Sequence, residues 1–360
     1  MKRHGKTSAG SQRWQCISCK ATETHQIDND AKLLKTFLDW LLFSKLQSAM
    51  PGEGRTFRRK THKFWELWPM PPLIDEVHHV IYVDGIYLGR KAVILIARSD
   101  EYVLGWYLAR TENSRAWKAL MGRITPPDVV VSDGGSGFEK ARRNVWPNTT
   151  AQRCTFHAFC QVKRYTTSRP KLPAGAQLYM IAKDLLHIKD TDQATAWLVR
   201  YSAWCTYWHD FLNEKTKVDG RYVLTHDRLV KAKNSLDVLI RKGTLFTYLN
   251  PMLLSEGMIP ATNNKIEGGV NAPLRQMLRD HRGLSLIRRI KAVFWWCYMH
   301  SECPLSPSEL LRVMPKDDDI EQYYRNLSEQ QQLHDTIPMW GDAVAWGEFH
   351  HSAPFRMDWD

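Results

Sequence analysis

Val80-Ile81-Tyr82-Val83-Asp84-Gly85 and Val129-Val130-Val131-Ser132-Asp133-Gly134-Gly135 decide how the centre of this chain is read. Each is an apolar, β-branched run that ends in Asp-Gly. Short apolar runs bounded by turn residues read as buried strands. Between them the pattern predicts strands over 79–84, 90–97 and 102–109, joined by short turns at Gly85–Gly89 and Ser99–Glu101 as an antiparallel meander. A helix is expected over Asn113–Ile124, ended by Pro126-Pro127. Val129–Ser132, apolar except at its last residue, is the kind of strand buried in a parallel sheet. A strand–helix–strand crossover is nearly always right-handed and returns beside its sheet. Asp84 and Asp133 are therefore expected to meet.

A carboxylate at the end of a buried strand has lost water and needs a partner. A lone Asp there is usually a turn former. Two Asp-Gly pairs after two apolar strands favour a shared role. A third acid, Glu267, lies downstream in Thr262-Asn263-Asn264-Lys265-Ile266-Glu267. Three carboxylates at one point make the oxygen-rich cluster that magnesium needs for phosphodiester chemistry. The expected fold class is α/β. Three antiparallel strands, a crossover helix and a fourth strand make the start of an RNase H-like mixed sheet, over residues 75–174 and 256–300. Residues 175–255 read as an all-helical insertion.

The net charge of +12 is unevenly spread: residues 301–360 are strongly acidic, while the rest of the chain is basic. A basic body with an acidic tail points to a polyanionic partner such as nucleic acid. No apolar run approaches the ~20 residues of a membrane span, and no apolar stretch follows the basic N-terminus, so neither a membrane nor a signal peptide is expected. Seven cysteines, an odd number, argue against a disulfide framework and for a reducing cytoplasm.

Residues 1–26 contain Cys16-Ile17-Ser18-Cys19, which has the look of the second half of a zinc ribbon. A tetrahedral Zn²⁺ site does not close on two ligands. Either His4 and His25 supply the others, or this partial site holds no metal. Residues 27–72 read as a helix-turn-helix-like DNA-binding region: apolar residues at helical spacing over 30–48, a break at Pro51-Gly52-Glu53-Gly54, then a basic helix over Thr56–Leu67. Arg58, Arg59, Lys60 and Lys63 are its candidate DNA contacts. Residues 301–360 form a weakly patterned acidic tail.

The chain resembles the Mutator-type bacterial insertion-sequence transposases, of the acid-triad (DDE) class. Val83-Asp84-Gly85, Ser132-Asp133-Gly134-Gly135 and Asn264-Lys265-Ile266-Glu267 match that family's acid motifs in order and spacing. Gln152-Arg153-Cys154-Thr155-Phe156-His157 matches its Cys-x-x-His motif. The resemblance covers roughly 75–300. It implies DNA transposition: binding of the element's terminal inverted repeats, metal-dependent cleavage and strand transfer into target DNA. It further implies Asp84, Asp133 and Glu267 as ligands of Mg²⁺, with Mn²⁺ as a substitute. A homo-oligomer is implied, because two ends are held in one assembly. The location would be cytoplasmic and nucleoid-associated. A catalytically impaired, transposase-derived DNA-binding protein is the alternative, and an acid-pair hydrolase acting on something other than DNA is a third reading.

Cys154 and His157 read as structural support near the acids. Cys160 extends them to a Cys-x-x-His-x-x-Cys spacing that soft metals accept. Asn264, Glu267, Asn271 and Arg275 would share one face of a regular helix. With Arg279 and Arg282, the polar and basic members of that stretch suit contacts to DNA. Arg288, Arg289 and Lys291 are equally well read as a solvated face. Gly268-Gly269 costs roughly 1 kcal/mol per residue in a helix interior, so the helix is irregular there or its backbone approaches DNA closely.

Overall fold

The computed structural model describes residues 1–331, apart from Ala9 and 25–28. The chain divides into two compact units. One holds residues 1–67 and 305–316, and the other holds 68–304 with the stretch from 317.

The first unit begins with an antiparallel sheet of β1 (Lys2–Lys6), β2 (Gln12–Gln15) and β3 (Thr22–Thr24). α1 (Asp30–Leu42) and α2 (Glu53–Thr61) follow, and a 3₁₀ turn over His62–Glu66 ends the helical stretch expected to reach Leu67. α1 buries Leu34, Phe37, Leu38 and Leu41, spaced at three and four residues. Phe37 packs on Phe64 with ring centroids 5.7 Å apart. The connection between the helices spans 43–52 and includes a 3₁₀ turn over Gln47–Ala49. It is longer than the 3–4-residue turn of a compact helix-turn-helix.

The second unit is built on a mixed sheet of β4 (Val80–Tyr87), β5 (Val93–Arg98), β6 (Val103–Ala109), β7 (Val129–Ser132) and β8 (Thr150–Arg153). Its order is β6-β5-β4-β7-β8. β4, β5 and β6 form the expected meander, but β4 runs on through Gly85 to Tyr87 where a turn was expected. α3 (Ser114–Met121) makes the crossover. Its N-cap, Asn113, accepts from the Ala116 amide at 2.9 Å, satisfying a donor the first turn leaves free. β7 then lies parallel to β4, with Val80 opposite Val129 and Tyr82 opposite Val131. α4 (Ser136–Val145) carries the chain to β8, parallel to β7.

A helical region follows: α5 (Thr155–Thr166), α6 (Pro173–Asp184), α7 (Thr191–Tyr207), α8 (His209–Asn213) and, beyond a hairpin, α9 (Asp227–Arg241). Trp197 and Trp204 are buried here, and their indoles donate to the carbonyls of Ile181 and Ala174 at 2.7 and 3.1 Å. The stretch 175–255 is not all-helical as expected. β9 (Lys215–Val218) and β10 (Arg221–Leu224) form an antiparallel hairpin. Asp219 and Gly220 both have positive φ, 48° and 78°, the backbone of a tight two-residue turn that Asp-Gly favours.

The edge of β8 is covered by the returning chain. The amide of Arg153 donates to Thr244 O at 2.8 Å, and the Tyr248 amide to Gln152 Oε1 at 3.0 Å. Then come α10 (Pro251–Leu254), α11 (Asn264–Ile266), a π turn over Glu267–Asn271, α12 (Ala272–Asp280) and α13 (Leu286–Met299). α13 lies against β6, and Phe294 meets Trp106 with centroids 6.0 Å apart. α14 (Pro307–Val313) belongs to the first unit and packs on α1, while α15 (Asp317–Gln331) belongs to the second. The described part of the expected acidic tail, 301–331, thus carries two helices, α14 and α15, joined by irregular segments, and 332–360 lie outside the described residues. Among the described residues no helix is long and apolar enough to cross a membrane, and all seven cysteines are free.

Lys291 is not on a solvated face. It is 1% exposed, pairs with Asp317 and lies 4.4 Å from the Trp68 ring centroid. The Trp68 indole donates to the same carboxylate at 2.7 Å. Removing one partner of a buried pair strands the other's charge. Lys291→Met should therefore lower unfolding free energy by about 2–4 kcal/mol, measured by urea denaturation. An unchanged midpoint would show that the pair does not hold α15 in place.

Candidate active site

The register of β4 on β7 sets the site. Tyr82 lies opposite Val131, so Asp84, within β4, and Asp133, one residue past the end of β7, follow at the same level, each two residues on. Parallel strands lie ~4.8 Å apart. Gly135 N donates to Asp133 Oδ1 at 3.0 Å. Asp84 Oδ1 accepts from the Gly85 amide at 2.8 Å, and its Oδ2 from Asn271 Nδ2 at 2.6 Å. Burial pushes the Asp84 carboxyl up to about 7; the Gly85 amide pulls it down, while the charges of Asp133, Glu267 and Glu112 push it further up. The charges of Asp133 and Glu267, the other two acids read from the sequence, thus reach Asp84.

Glu112, which the sequence reading did not single out, is a fourth carboxylate at this end of the sheet. It lies between β6 and α3 and accepts from the Tyr87 hydroxyl at 3.2 Å. Burial, then Asp133, raises its carboxyl above the usual range. Its flanks, Arg110-Thr111 and Asn113, are ordinary loop and cap residues, so only the meander's return beside Gly85 could have flagged it.

Glu267 is held at the site by its backbone. Asn263, fully buried, donates through Nδ2 to Val83 O at 3.1 Å, and its own carbonyl accepts from the amides of Ile266 and Glu267. Arg98 on β5 donates from Nη1 to Lys265 O at 3.0 Å. The segment is not a regular helix: the π turn begins at Glu267. A π turn inserts one residue into the ladder, so Asn264, Glu267, Asn271 and Arg275 do not share one regular face. Asn271 is fully buried against Asp84, which suits support of the acid better than contact with DNA. Gly269 has a direct cause: a Cβ there would lie 2.5 Å from Arg98 Nη1, whereas Gly268 has nothing within 4 Å.

Cys154, fully buried at the start of α5, receives a hydrogen bond on Sγ from the Asn263 amide at 3.2 Å. His157 Nδ1 lies 3.4 Å from Glu267 Oε1. That separation suits an ion pair if the ring is protonated, yet both atoms are buried without a hydrogen bond. The Cys–His pair lies beside Glu267 and Asn263. Cys160 is not part of the group that could share a metal, which is Cys154, His157 and Glu267.

The remaining candidates are spread widely. Asn264, Arg275, Arg279 and Arg282 are exposed around α12. In the first unit Arg58, Arg59 and Lys60 are exposed on α2, and Lys63 pairs with Asp30. Cys16 and Cys19 flank a turn after β2. Hydrogen bonds from Cys19 lower the Cys16 thiol to about 7. Among the described residues no third ligand joins them, and His25 lies outside those residues.

Among the described residues Glu267 shares a close ligand group with Cys154 and His157, not with the two Asp. Fold and site together define a mixed α/β domain with Asp84 and Asp133 on a parallel strand pair. Within it, residues 90–226 match the model of the transposase Mutator family. The chain is 23% identical over 146 residues to the transposase for insertion sequence element IS905 of Lactococcus lactis subsp. lactis (strain IL1403), covering 36% of each chain. It is 32% identical over 111 residues to the transposase for insertion sequence element IS6120 of Mycolicibacterium smegmatis, covering 29% of this chain and 30% of that one. The chain spans about a third of the length of these curated relatives. The matched family region contains Asp133, Cys154 and His157; Asp84 and Glu267 flank it.

Two outcomes follow. Gly269→Ala should displace Arg98 from Lys265 O and cost about 1–3 kcal/mol, whereas Gly268→Ala should be neutral or stabilising by up to about 1 kcal/mol. Equal thermal shifts for the two would refute the packing explanation. The raised Asp84 carboxyl means that the fold binds a proton more tightly than the unfolded chain. In EDTA its contribution, up to about 4 kcal/mol, should be full below pH ~4 and lost as pH rises towards 7. Asp84→Asn should flatten that part of the stability–pH curve, and an unaltered curve would refute the assignment.

Proposed function

We propose that this chain is a DNA transposase that binds the ends of its own element, cleaves them with Mg²⁺, and joins the freed 3′-hydroxyl to target DNA. The observation that carries the reading is geometric: the β4–β7 register brings Asp84 and Asp133 side by side, and the segment carrying Glu267 is tied to β4 by Asn263 and Asn271. The likeness of residues 90–226 to Mutator-family transposases supports it. In this reading the sheet is an RNase H-like core, formed by 75–174 and 256–300, and 175–255 are inserted into it.

The donor set fits a hard divalent cation. All three side chains offer the carboxylate oxygen that a hard cation takes, and Glu267 Oε1, buried without a hydrogen bond and 3.4 Å from His157, would have to turn towards the two Asp. Asp84, Asp133 and Glu267 would hold Mg²⁺, or Mn²⁺ in its place. The bound cation would supply activation of a water or 3′-hydroxyl and stabilisation of the leaving oxygen. The protein's own work is positioning. The Gly85 amide and Asn271 aim the two oxygens of Asp84. Asn263 and Arg98 tie the Glu267 segment to the strands. Exposed Asn264, Arg275, Arg279 and Arg282 would meet DNA phosphates. Arg58, Arg59, Lys60 and Lys63 would serve end recognition in the first unit, and a homo-oligomer would hold paired ends.

Purified protein should nick DNA carrying the element's terminal repeats when Mg²⁺ is added. Asp84→Asn, Asp133→Asn and Glu267→Gln should each abolish nicking while DNA affinity stays within about threefold, a margin under 1 kcal/mol. Binding without any metal-dependent cleavage by the wild type would overturn the proposal in favour of a transposase-derived DNA-binding protein. Nicking that survives all three substitutions would overturn the site.

A further inference from the structure

We propose that Cys154, His157 and Glu267 form a second, softer metal site, which takes a Zn²⁺-class ion through sulfur, nitrogen and oxygen. The ligand atoms of these three side chains already lie within 4.8 Å of one another. Bonds of about 2.0–2.3 Å put two ligands of one ion less than about 4.5 Å apart, so small side-chain rotations close the set. His157 Nδ1 and Glu267 Oε1 are 3.4 Å apart, and each is buried with no hydrogen-bond partner. Buried polar atoms without partners are costly, and one shared cation would satisfy both.

Burial raises the Cys154 thiol above its ordinary range, while the backbone amides at the start of α5 pull it down. The Asn263 amide donates to Sγ, a contact of the kind that orients a metal ligand from behind. On binding, the Cys154 thiol loses its proton to solvent, and a sulfur–metal bond replaces the S–H bond. His157 would bind through Nδ1 with its ring proton on Nε2, and Glu267 through one carboxylate oxygen. Three protein ligands leave a fourth position for water, as in open zinc sites. His157 and Glu267 are each about a third exposed (30% and 28%), so an ion can reach the set from solvent although Cys154 is buried.

The site itself stands on this geometry alone. Its consequence rests on the catalytic reading: an ion held by Cys154 and His157 draws Glu267 away from Asp84 and Asp133. Zn²⁺ should then antagonise Mg²⁺-dependent cleavage.

Co²⁺ is the probe, used on the full chain carrying Cys16→Ser and Cys19→Ser so that the N-terminal pair does not contribute. One equivalent should give a thiolate-to-cobalt charge-transfer band. Cys154→Ser should remove the band, His157→Ala and Glu267→Gln should weaken Co²⁺ binding at least about tenfold, and Asp84→Asn and Cys160→Ser should leave it intact. Circular dichroism establishes that each variant is folded. No band from folded protein, a band that survives Cys154→Ser, or full affinity in folded Glu267→Gln would overturn the site. In nicking assays Zn²⁺ should inhibit the parent and should inhibit His157→Ala at least about tenfold less. A cobalt band without zinc inhibition would overturn the antagonism and leave the site standing. A wild type that never nicks would overturn the catalytic reading, while the cobalt spectrum still decides the site.

Discussion

Asp84 cannot keep its water, and much of the second unit answers that constraint. β4 lies between β5 and β7, and its Asp84 carboxylate emerges just past the last residue paired with β7. One oxygen is met by the Gly85 amide. The other is met by Asn271, 187 residues away. The segment beyond the helical region is therefore not free to dock anywhere. It must bring an amide to one carboxylate oxygen, and in doing so it brings Glu267 as well. Burial of one acid thus fixes the position of another.

The same constraint accounts for the irregular backbone at Glu267. Asn263 binds the β4 backbone, and Asn271 binds the Asp84 side chain. Between these anchors the helix widens into a π turn. Arg98 crosses over the turn to Lys265 O, and Gly269 leaves room for its guanidinium. Backbone irregularities of this kind are frequent at functional sites because the tertiary contacts over-determine them.

The meander, the crossover helix and the level of Asp84 with Asp133 were legible in the sequence, because buried strands leave continuous β-branched runs and crossovers have one hand. β8 was not. Thr150-Ala151-Gln152-Arg153 carries no apolar pattern, and its strand character comes from pairing with β7 and with the chain at 244–248. The hairpin at 215–224 did carry a signal, Asp219-Gly220, and was missed because the surrounding helical pattern was extended across it. Lys291 and Asn271 show the limit of reading polar residues as surface. Each is buried because one distant carboxylate, Asp317 or Asp84, needs it. Gly268-Gly269 marked the irregularity at Glu267 but could not reveal Arg98, whose contact depends on a strand more than a hundred positions upstream.

Glu267 stands between two kinds of chemistry. On one side are Asp84 and Asp133, which offer only oxygen; on the other are Cys154 and His157, which offer sulfur and nitrogen. Hard cations such as Mg²⁺ favour the first set, and soft or borderline cations the second. The Glu267 backbone is tied by Asn263 and Arg98, so which side its carboxylate reaches depends on its side-chain torsions. Those torsions are confined on the α5 side by His157, 3.4 Å away. His157, one helical turn from the buried Cys154, therefore bounds the Glu267 side chain on that side.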